Sequence, residues 1–360
     1  MKTVALIKRD FHSQGGLEKV SRKIIDSLQK KNVSVTLLTS SPAELIDSPC
    51  PILACNLKRK LNYKRVLEFD AWCKTHSARF DVVFSMDRSS YQTHHRAGNG
   101  VHAAYLDLRR QKEGLFKTVS FAINPLHRTL LKLEKATFED PSLKKIIVNS
   151  HFVKNQILRY YNSPEHSIEV IHNGVEWAEM ETDFHASFPH TNKPFEFLFI
   201  GHNFERKGLL TLLKALSNLK RRDFHLSIVG NDKNLKYYQA QASRLKIPST
   251  FWGAQSNTRP FYQKADVLVI PSLYDPFANV TVEALAMGLF VVSSKTNGGH
   301  EVLSPSSGAV FEDHLDSFVT ALEESFNHPK SFGHALQIRN SIQYLDYSVQ
   351  MEKVCSLCLS

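Results

Sequence analysis

Two acids and two cations mark the part of the chain where chemistry is most readily placed. Asp275 and Glu283 lie eight residues apart in DVLVIPSLYDPFANVTVEALAMG (266–288), and Arg206 and Lys207 lie in GHNFERKG (201–208). The apolar run Val267–Ile270, closed by Pro271, predicts a buried strand of a parallel sheet. Val280, Ala284, Leu285 and Met287 follow at helical spacing, and Gly288 ends the pattern. Asp275 is therefore in a loop at the carboxyl end of a strand, the edge at which open α/β sheets bind ligands. Glu283 falls about two turns into the next helix. A helix N-terminus at that edge favours an anion, because its first amides are unpaired and its dipole is positive there. Arg206 and Lys207 fall where another helix begins, and cations at that end work against the dipole. An anion facing them accounts for their presence. Taken alone, the acids also fit a capping Asp and a solvated helix Glu, and the cations a solvated pair.

The elements that must position these groups alternate along the second half. FEFLFIG, a helix over 207–221, FHLSIVG, a helix over 234–246, TFWG and a helix over 257–265 precede the acid-bearing stretch. FVVSS at 290–294 and a strand near 308–312 follow it. The first half opens with a strand at 3–8, a helix from Leu17 to Lys31, a strand at 33–39, a helix over 61–78 and a strand at 80–86. LKKIIVNSHFVKNQI (143–157) reads as strand, turn and helix, with Ser150 as cap. IEVIHNGVE (168–176) is a strand ending at the turn pair Asn173-Gly174. This rhythm predicts βαβ units and two parallel sheets. Residues 177–194 are polar, lack a period and hold two prolines, which predicts the linker; 335–357 read as helical.

The 360 residues suit about two domains. No apolar run approaches the ~18 residues of a membrane span, and MKTVALIKRD reads as a first strand rather than a signal peptide. Five cysteines without even spacing suit a reducing, cytoplasmic compartment. The charge is lopsided: residues 1–175 hold 28 Lys and Arg against 16 Asp and Glu, and the rest hold 17 against 19. Such a field suits nucleic acid, an acidic lipid surface or a phosphorylated acceptor. A nucleic-acid partner is disfavoured, because the basic residues do not interleave with aromatics on a strand platform and no zinc, helix-turn-helix or RNP motif occurs.

Other candidates are weaker. Gly15 and Gly16 sit at the first strand-to-helix turn, where glycine lets backbone approach a ligand; the pattern is not GxGxxG, so no nicotinamide fingerprint is present. His94, His95 and His102 fit no common metal spacing, and Cys355 and Cys358 form a CxxC with no second pair nearby. Residues 103–135 interleave Arg109, Arg110, Lys112, Lys117, Arg128, Lys132 and Lys135 with leucines and aromatics, interrupted by Pro125. They fit a segment lying on an anionic membrane and equally an amphipathic helix pair packed on a sheet.

Taken together, GG at 15–16, ERKG at 205–208 and the acid-x7-acid pair resemble the retaining glycosyltransferases of family 4, which have the GT-B fold. EKATFED (134–140) and GHNFERKG look like phrases of the lipopolysaccharide core glucosyltransferase I group within it. The resemblance implies two Rossmann-like, doubly wound parallel-sheet domains facing each other across a cleft. An acceptor-binding domain would span 1–176, completed by a C-terminal helix at about 335–360, and a nucleotide-sugar domain 195–334. It implies transfer of a hexose, UDP-glucose being the first candidate donor, to a lipopolysaccharide-core or related glycolipid. UDP-GlcNAc and GDP-mannose are the alternative donors. Asp275 would orient the donor sugar, Arg206 and Lys207 would hold the diphosphate, and Glu283 the ribose. Gly15, Gly16, His102, Gly201, Asn203, Asn279 and Val280 complete the implied donor contacts, and the loop NGGHE (297–301) lies near the phosphates. The family has Glu where this chain has Asp275, one methylene shorter. No Asp-x-Asp motif occurs, so neither metal nor cofactor is implied. The expected setting is the inner face of the cytoplasmic membrane, with the basic first domain against anionic lipid. A phosphorylase would be longer and carry a pyridoxal phosphate lysine, which nothing marks.

Overall fold

The structure, a computed structural model, describes residues 2–11, 16–43, 46, 48–113, 120–188 and 194–359, without the side chains of 16, 17, 112 and 113. The chain divides into two compact units, Met1–Ile171 with Ser348–Ser360, and His172–Tyr347.

The first unit runs β1 (Thr3–Ile7), α1 (Gly16–Lys30), β2 (Ser34–Thr39), β3 (Ile52–Ala54), α2 (Asn62–Ser77), β4 (Val82–Ser85), β5 (His94–Arg96), α3 (His102–Glu113), α4 (Pro125–Phe138), β6 (Lys145–Val148), α5 (His151–Tyr160) and β7 (Ile168–Val170). Among the described residues its sheet has seven strands in the order β3-β2-β1-β4-β5-β6-β7. Every pairing is parallel. The order reverses between β1 and β4, which makes their carboxyl ends the switch point of the sheet. Val4, Leu6, Val83 and Phe84 are almost fully buried, as strands covered on both faces require. The Ser150 hydroxyl accepts from the Val153 amide at 3.2 Å and starts α5 as the sequence predicts.

The second unit runs α6 (Glu181–His185), β8 (Phe195–Ile200), α7 (Leu209–Ser217), β9 (Phe224–Val229), α8 (Leu235–Arg244), β10 (Ser249–Gly253), α9 (Arg259–Lys264), β11 (Val267–Ile270), α10 (Asn279–Ala286), β12 (Phe290–Ser294), β13 (Gly308–Phe311), α11 (Leu315–Ser325) and α12 (Phe332–Ser341). Its parallel sheet has the order β10-β9-β8-β11-β12-β13, so its switch point lies between β8 and β11. One face of the sheet packs an aromatic core of Phe197, Phe199, Phe204 and Phe224; the other packs Leu198, Leu268, Val282 and Leu285 from β8, β11 and α10.

Three expectations change. Within the expected linker, the described residues 177–188 pack as part of the second unit: Phe184 is fully buried in the second core, and Arg339 donates to the Trp177 carbonyl while stacking on its ring. The helical reading of 335–357 breaks into α12 and α13 (Tyr347–Leu359), because Ile342 and Leu345 turn into the second core while Met351, Val354 and Cys355 are buried in the first unit. β3 and β5 carry no strand signal in the sequence, because three residues are too few for a period to show. The turn pair Asn173-Gly174 has a packing reason: a Cβ on Gly174 would meet the Tyr347 ring at 2.8 Å, where Val175 and Asp346 form a parallel bridge.

Candidate active site

The loop after β8 and the loop after β11 meet at the switch point of the second sheet. GHNFERKG leaves β8 and turns at Asn203, which has φ 58° and accepts from the Arg206 amide through Oδ1 at 3.1 Å. The Phe204 amide donates to Asp232 at 2.8 Å, which anchors the loop to the end of β9. Gly208 then starts α7 in the left-handed region (φ 77°), and a Cβ there would lie 1.9 Å from the Pro271 carbonyl oxygen. That close approach, together with the Leu273 amide donating to the Arg206 carbonyl at 2.9 Å, ties the two loops side by side.

Asp275 sits on this seam. Its Oδ2 accepts from Lys207 Nζ at 2.6 Å and from Arg206 Nη1 at 3.3 Å, and its Oδ1 from the Phe277 amide at 3.3 Å. Arg206 Nη1 also donates to the Tyr274 carbonyl. The stem of Lys207 lies over Gly201, where a Cβ would be 3.0 Å from Lys207 Cγ. Asp275 is 7% exposed. Burial works to raise its carboxyl, but Lys207 and Arg206 outweigh burial and hold it below the ordinary carboxylate value. The anion that the two cations face here is thus Asp275 itself. Two cations against one carboxylate leave the seam positive, beside the N-terminus of α10.

Asn297 aligns that N-terminus. Fully buried, it accepts from the Ala278 amide at 2.9 Å and the Gly299 amide at 3.1 Å, and donates to Ser293 Oγ at 3.0 Å. Asp275 bridges to it through backbone, its carbonyl accepting from the Gly298 amide. The phrase NGGHE contains Asn297, yet its role as the joint between the α10 and β12 loops depends on a strand pairing that no local pattern displays. Glu283, half-buried on α10, accepts from the Tyr262 hydroxyl at 2.7 Å. Tyr262 is buried on α9, and burial first, then Glu283, push its phenol well above the ordinary value. Nothing in the sequence marks Tyr262 as the partner. Asn279 accepts from Asn173 Nδ2 at 2.7 Å, and Val280 is half-buried in the first turn of α10.

The structure therefore gathers Asp275, Arg206, Lys207 and Gly201 into one cluster, with Asn203 in a loop-shaping role and Asn279, Val280 and Glu283 along α10. The remaining expected contacts belong to the first unit. Gly16 opens α1, and Gly15 lies outside the described residues. His102 starts α3, its Nε2 3.0 Å from His127 Nδ1. Burial, then Arg88, push its imidazole down to about 4. Its amide and that of Ala103 donate to Glu134, at 2.6 and 3.0 Å. Glu134 is fully buried and also accepts from Arg88 at 2.9 Å and Tyr161 at 2.7 Å. It is a residue that sequence reasoning passed over inside EKATFED. His94 and His95 are strand residues, and burial pushes them down to about 4 and about 3. Cys355 and Cys358 are buried free thiols. Among the described residues no group of three or more His, Cys, Asp or Glu is arranged to hold a metal ion.

Two doubly wound parallel sheets in two units, with a cation-carboxylate cluster at the switch point of the second, define an α/β protein of the GT-B fold. Residues 14–178 match the family model described as Glycosyltransferase Family 4, and residues 194–328 the one described as Glycosyl transferases group 1. The chain thus carries both domains of the family 4/group 1 glycosyltransferases. It is 30% identical over 173 residues to an uncharacterized glycosyltransferase of Methanocaldococcus jannaschii, covering 44% of each chain. It is 30% identical over 129 residues to the lipopolysaccharide core biosynthesis glycosyltransferase LpsE of Rhizobium meliloti, covering 35% of this chain and 37% of the relative. The chain therefore spans less than half the length of these relatives. Among solved structures, WaaG, a glycosyltransferase involved in lipopolysaccharide biosynthesis, superposes with a TM-score of 0.79 at 19% identity over 99% of both chains. Anabaena HepE in complex with UDP-glucose superposes with a TM-score of 0.70 at 14% identity over 99% of both chains. At such identities the superpositions speak for the fold.

Proposed function

We propose that the protein is a retaining glycosyltransferase that moves a hexose from a nucleotide sugar, UDP-glucose first among the candidates, to a lipopolysaccharide-core or related glycolipid acceptor. The observation that carries this reading is the Arg206–Lys207–Asp275 cluster at the switch point of the second sheet. A diphosphate leaving group gains negative charge as the glycosidic bond breaks. Arg206 and Lys207, with 33% and 14% of their side chains exposed, stand where that charge is stabilised. Each charge-assisted contact contributes about 1.5–3 kcal/mol. Asp275 holds both cations in place and, in this reading, turns its remaining acceptor capacity to a donor-sugar hydroxyl. Glu283, positioned by Tyr262, takes the ribose hydroxyls, and the amides at the start of α10 face the phosphates. The acceptor hydroxyl attacks from the face the diphosphate leaves, so no glycosyl-carboxylate intermediate is needed. The cations take the part a metal ion would otherwise play.

The nucleotide-sugar donor draws support from the UDP-glucose complex of the similarly folded Anabaena protein, and the glycolipid acceptor from LpsE and WaaG. Among the described residues no helix is long and apolar enough to cross a membrane. The positive first half suits peripheral attachment to the anionic inner face of the cytoplasmic membrane, through residues 103–135. The test is nucleotide release from UDP-glucose, UDP-GlcNAc and GDP-mannose in the presence of EDTA and a lipopolysaccharide-core acceptor, with the product anomer read by NMR. Turnover of one donor, unaffected by EDTA and giving the α anomer, is expected. An inverted product, or turnover with no nucleotide sugar, would overturn the reading.

A further inference from the structure

Parallel strands covered on both faces call for continuous apolar residues, and the second sheet departs from that toward its β10 edge. Glu196, His225 and Thr250 are the second residues of β8, β9 and β10. The register sets Glu196 beside His225, Leu198 beside Ser227 and Ser227 beside Thr250, so these side chains share the face that packs Leu198. They are joined into one polar row. His225 Nδ1 lies 3.0 and 3.1 Å from the two Glu196 oxygens, and its Nε2 lies 3.0 Å from Thr250 Oγ1. The Ser227 hydroxyl donates to Glu196 Oε1 at 2.6 Å. The row reaches the surface: Glu196 and His225 keep 16% and 29% of their side chains exposed.

Trp252 closes the row. The pairing of β10 with β9 shifts between Phe251 and Gly253, an irregularity that falls on Trp252. Bulges at sheet edges re-aim a side chain. Here the indole is brought to the row, and its Nε1 donates to Ser227 Oγ at 3.1 Å. Its ring meets Phe261 of α9 edge-on, with centroids 5.5 Å apart. Held at both points, Trp252 is still 45% exposed. A fixed, half-exposed indole beside a carboxylate, an imidazole and a hydroxyl suits a ligand with an apolar face and a polar rim. A sugar ring has both, since its C–H face stacks on an aromatic ring while its hydroxyls bond at the edge. Glu196 retains acceptor capacity for such hydroxyls, because an ionised carboxylate has about four lone-pair sites. Its charge disfavours a phosphate or a nucleotide in the same place.

We propose that the Trp252 platform binds a neutral sugar unit of a glycan, at a site apart from the reaction seam. Glu196 lies four residues before the end of β8, about 13 Å of strand from the loop that carries Arg206 and Lys207. The inference rests on membership of the glycosyltransferases and not on the donor or acceptor proposed above. A glycan held on the platform raises the local concentration of the chains on which the protein acts.

The experiment titrates the full chain with cellotriose, maltotriose and mannotriose, and with UMP as a nucleobase control, followed by saturation-transfer NMR. UDP-glucose binding is measured in parallel by calorimetry. Trp252→Ala removes the platform, Trp252→Tyr keeps a ring there, and Thr250→Val takes a hydroxyl from the row. The wild type is expected to bind at least one trisaccharide. Trp252→Ala should weaken that binding about tenfold or more, Trp252→Tyr should retain most of it, and Thr250→Val should weaken it about threefold, with UDP-glucose affinity unchanged throughout. Should Trp252→Ala loosen the second unit, the comparison of Thr250→Val with the wild type carries the test. No trisaccharide binding by the wild type, trisaccharide binding indifferent to these substitutions, or UMP binding that falls with Trp252→Ala would overturn the inference. A wild type that binds trisaccharide at the platform but no UDP-glucose would instead sink the donor reading and leave this one standing.

Discussion

The two sheets reverse direction at corresponding places, yet the two switch points are built on opposite electrostatic plans. In the second unit Arg206 and Lys207 share one carboxylate, Asp275, and the seam keeps a positive surplus. In the first, Arg9, Arg88 and Lys8 are each matched by Asp10, Glu134 and the pair Asp87 and Glu18, around an open cavity. The net charges of the halves run the other way, since the first half carries the whole positive excess. Overall charge therefore does not say where an anion binds. In the proposed reading the local surplus of cations does, because opposite charges a few ångströms apart largely cancel at a distance and salt screens what remains over about 8 Å.

The largest effects should come from the buried carboxylates. Asp275→Ala leaves Lys207 with no carboxylate in a largely buried place, and losing one partner of such a pair costs about 3–5 kcal/mol. Hydrogen exchange followed by mass spectrometry should show the loss across β8, β11 and α10, and turnover should vanish. Glu134→Ala should cost the first unit a similar amount, concentrated at α3 and α4. If either substitution loosened both units equally, the separate roles given to the two sites would fail.

A smaller effect separates the two cations. Lys207 is nearer Asp275 and less exposed than Arg206, so Lys207→Met should reduce turnover more than Arg206→Met, each by about tenfold or more. The reverse order would assign the leading phosphate contact to Arg206. Smaller again is Tyr262→Phe, which removes the hydroxyl that donates to Glu283 Oε2. Loss of such a bond costs about 1–3 kcal/mol and should appear as weaker nucleotide binding with the fold intact.

Acid should also tell the units apart. His94, His95 and His102 have folded-state values of about 4, 3 and 4, against an ordinary 6.5. Below about pH 6.5 the unfolded chain takes up protons that the folded first unit refuses, so its stability is full above that pH. It falls as pH drops toward 4 and on toward 3. Asp275 is shifted below its ordinary 3.8, so its contribution holds above that value and is lost only as pH falls further. Exchange corrected for its intrinsic pH dependence should therefore rise first in β4, β5 and α3. A second unit that loosened first would contradict this.

The sequence displays the periodic parts of this molecule and the chemistry that sits on them. Strand runs such as VLVI and FEFLFI are legible because burial on both faces demands continuous apolar residues. Asp275, Arg206 and Lys207 are legible because they flank such runs at strand and helix ends. What stays hidden is set by contacts between distant segments. Glu134 looks like one more surface acid of a basic helix, and only the fold shows it capping α3. Asn297, Tyr262 and the cavity of the first unit are of the same kind. The break at Ile342–Leu345 is hidden for a related reason, because a helical pattern does not say which of two cores each face is buried in.

In the proposed reading the Arg206–Lys207–Asp275 seam holds the diphosphate of a nucleotide sugar. The most direct test is calorimetric titration of UDP-glucose, without metal, into the wild type and into the doubly substituted Arg206→Met, Lys207→Met protein. Saturable binding by the wild type, lost in the variant while its circular dichroism stays unchanged, is the predicted result. Equal affinity in both proteins would contradict the claim.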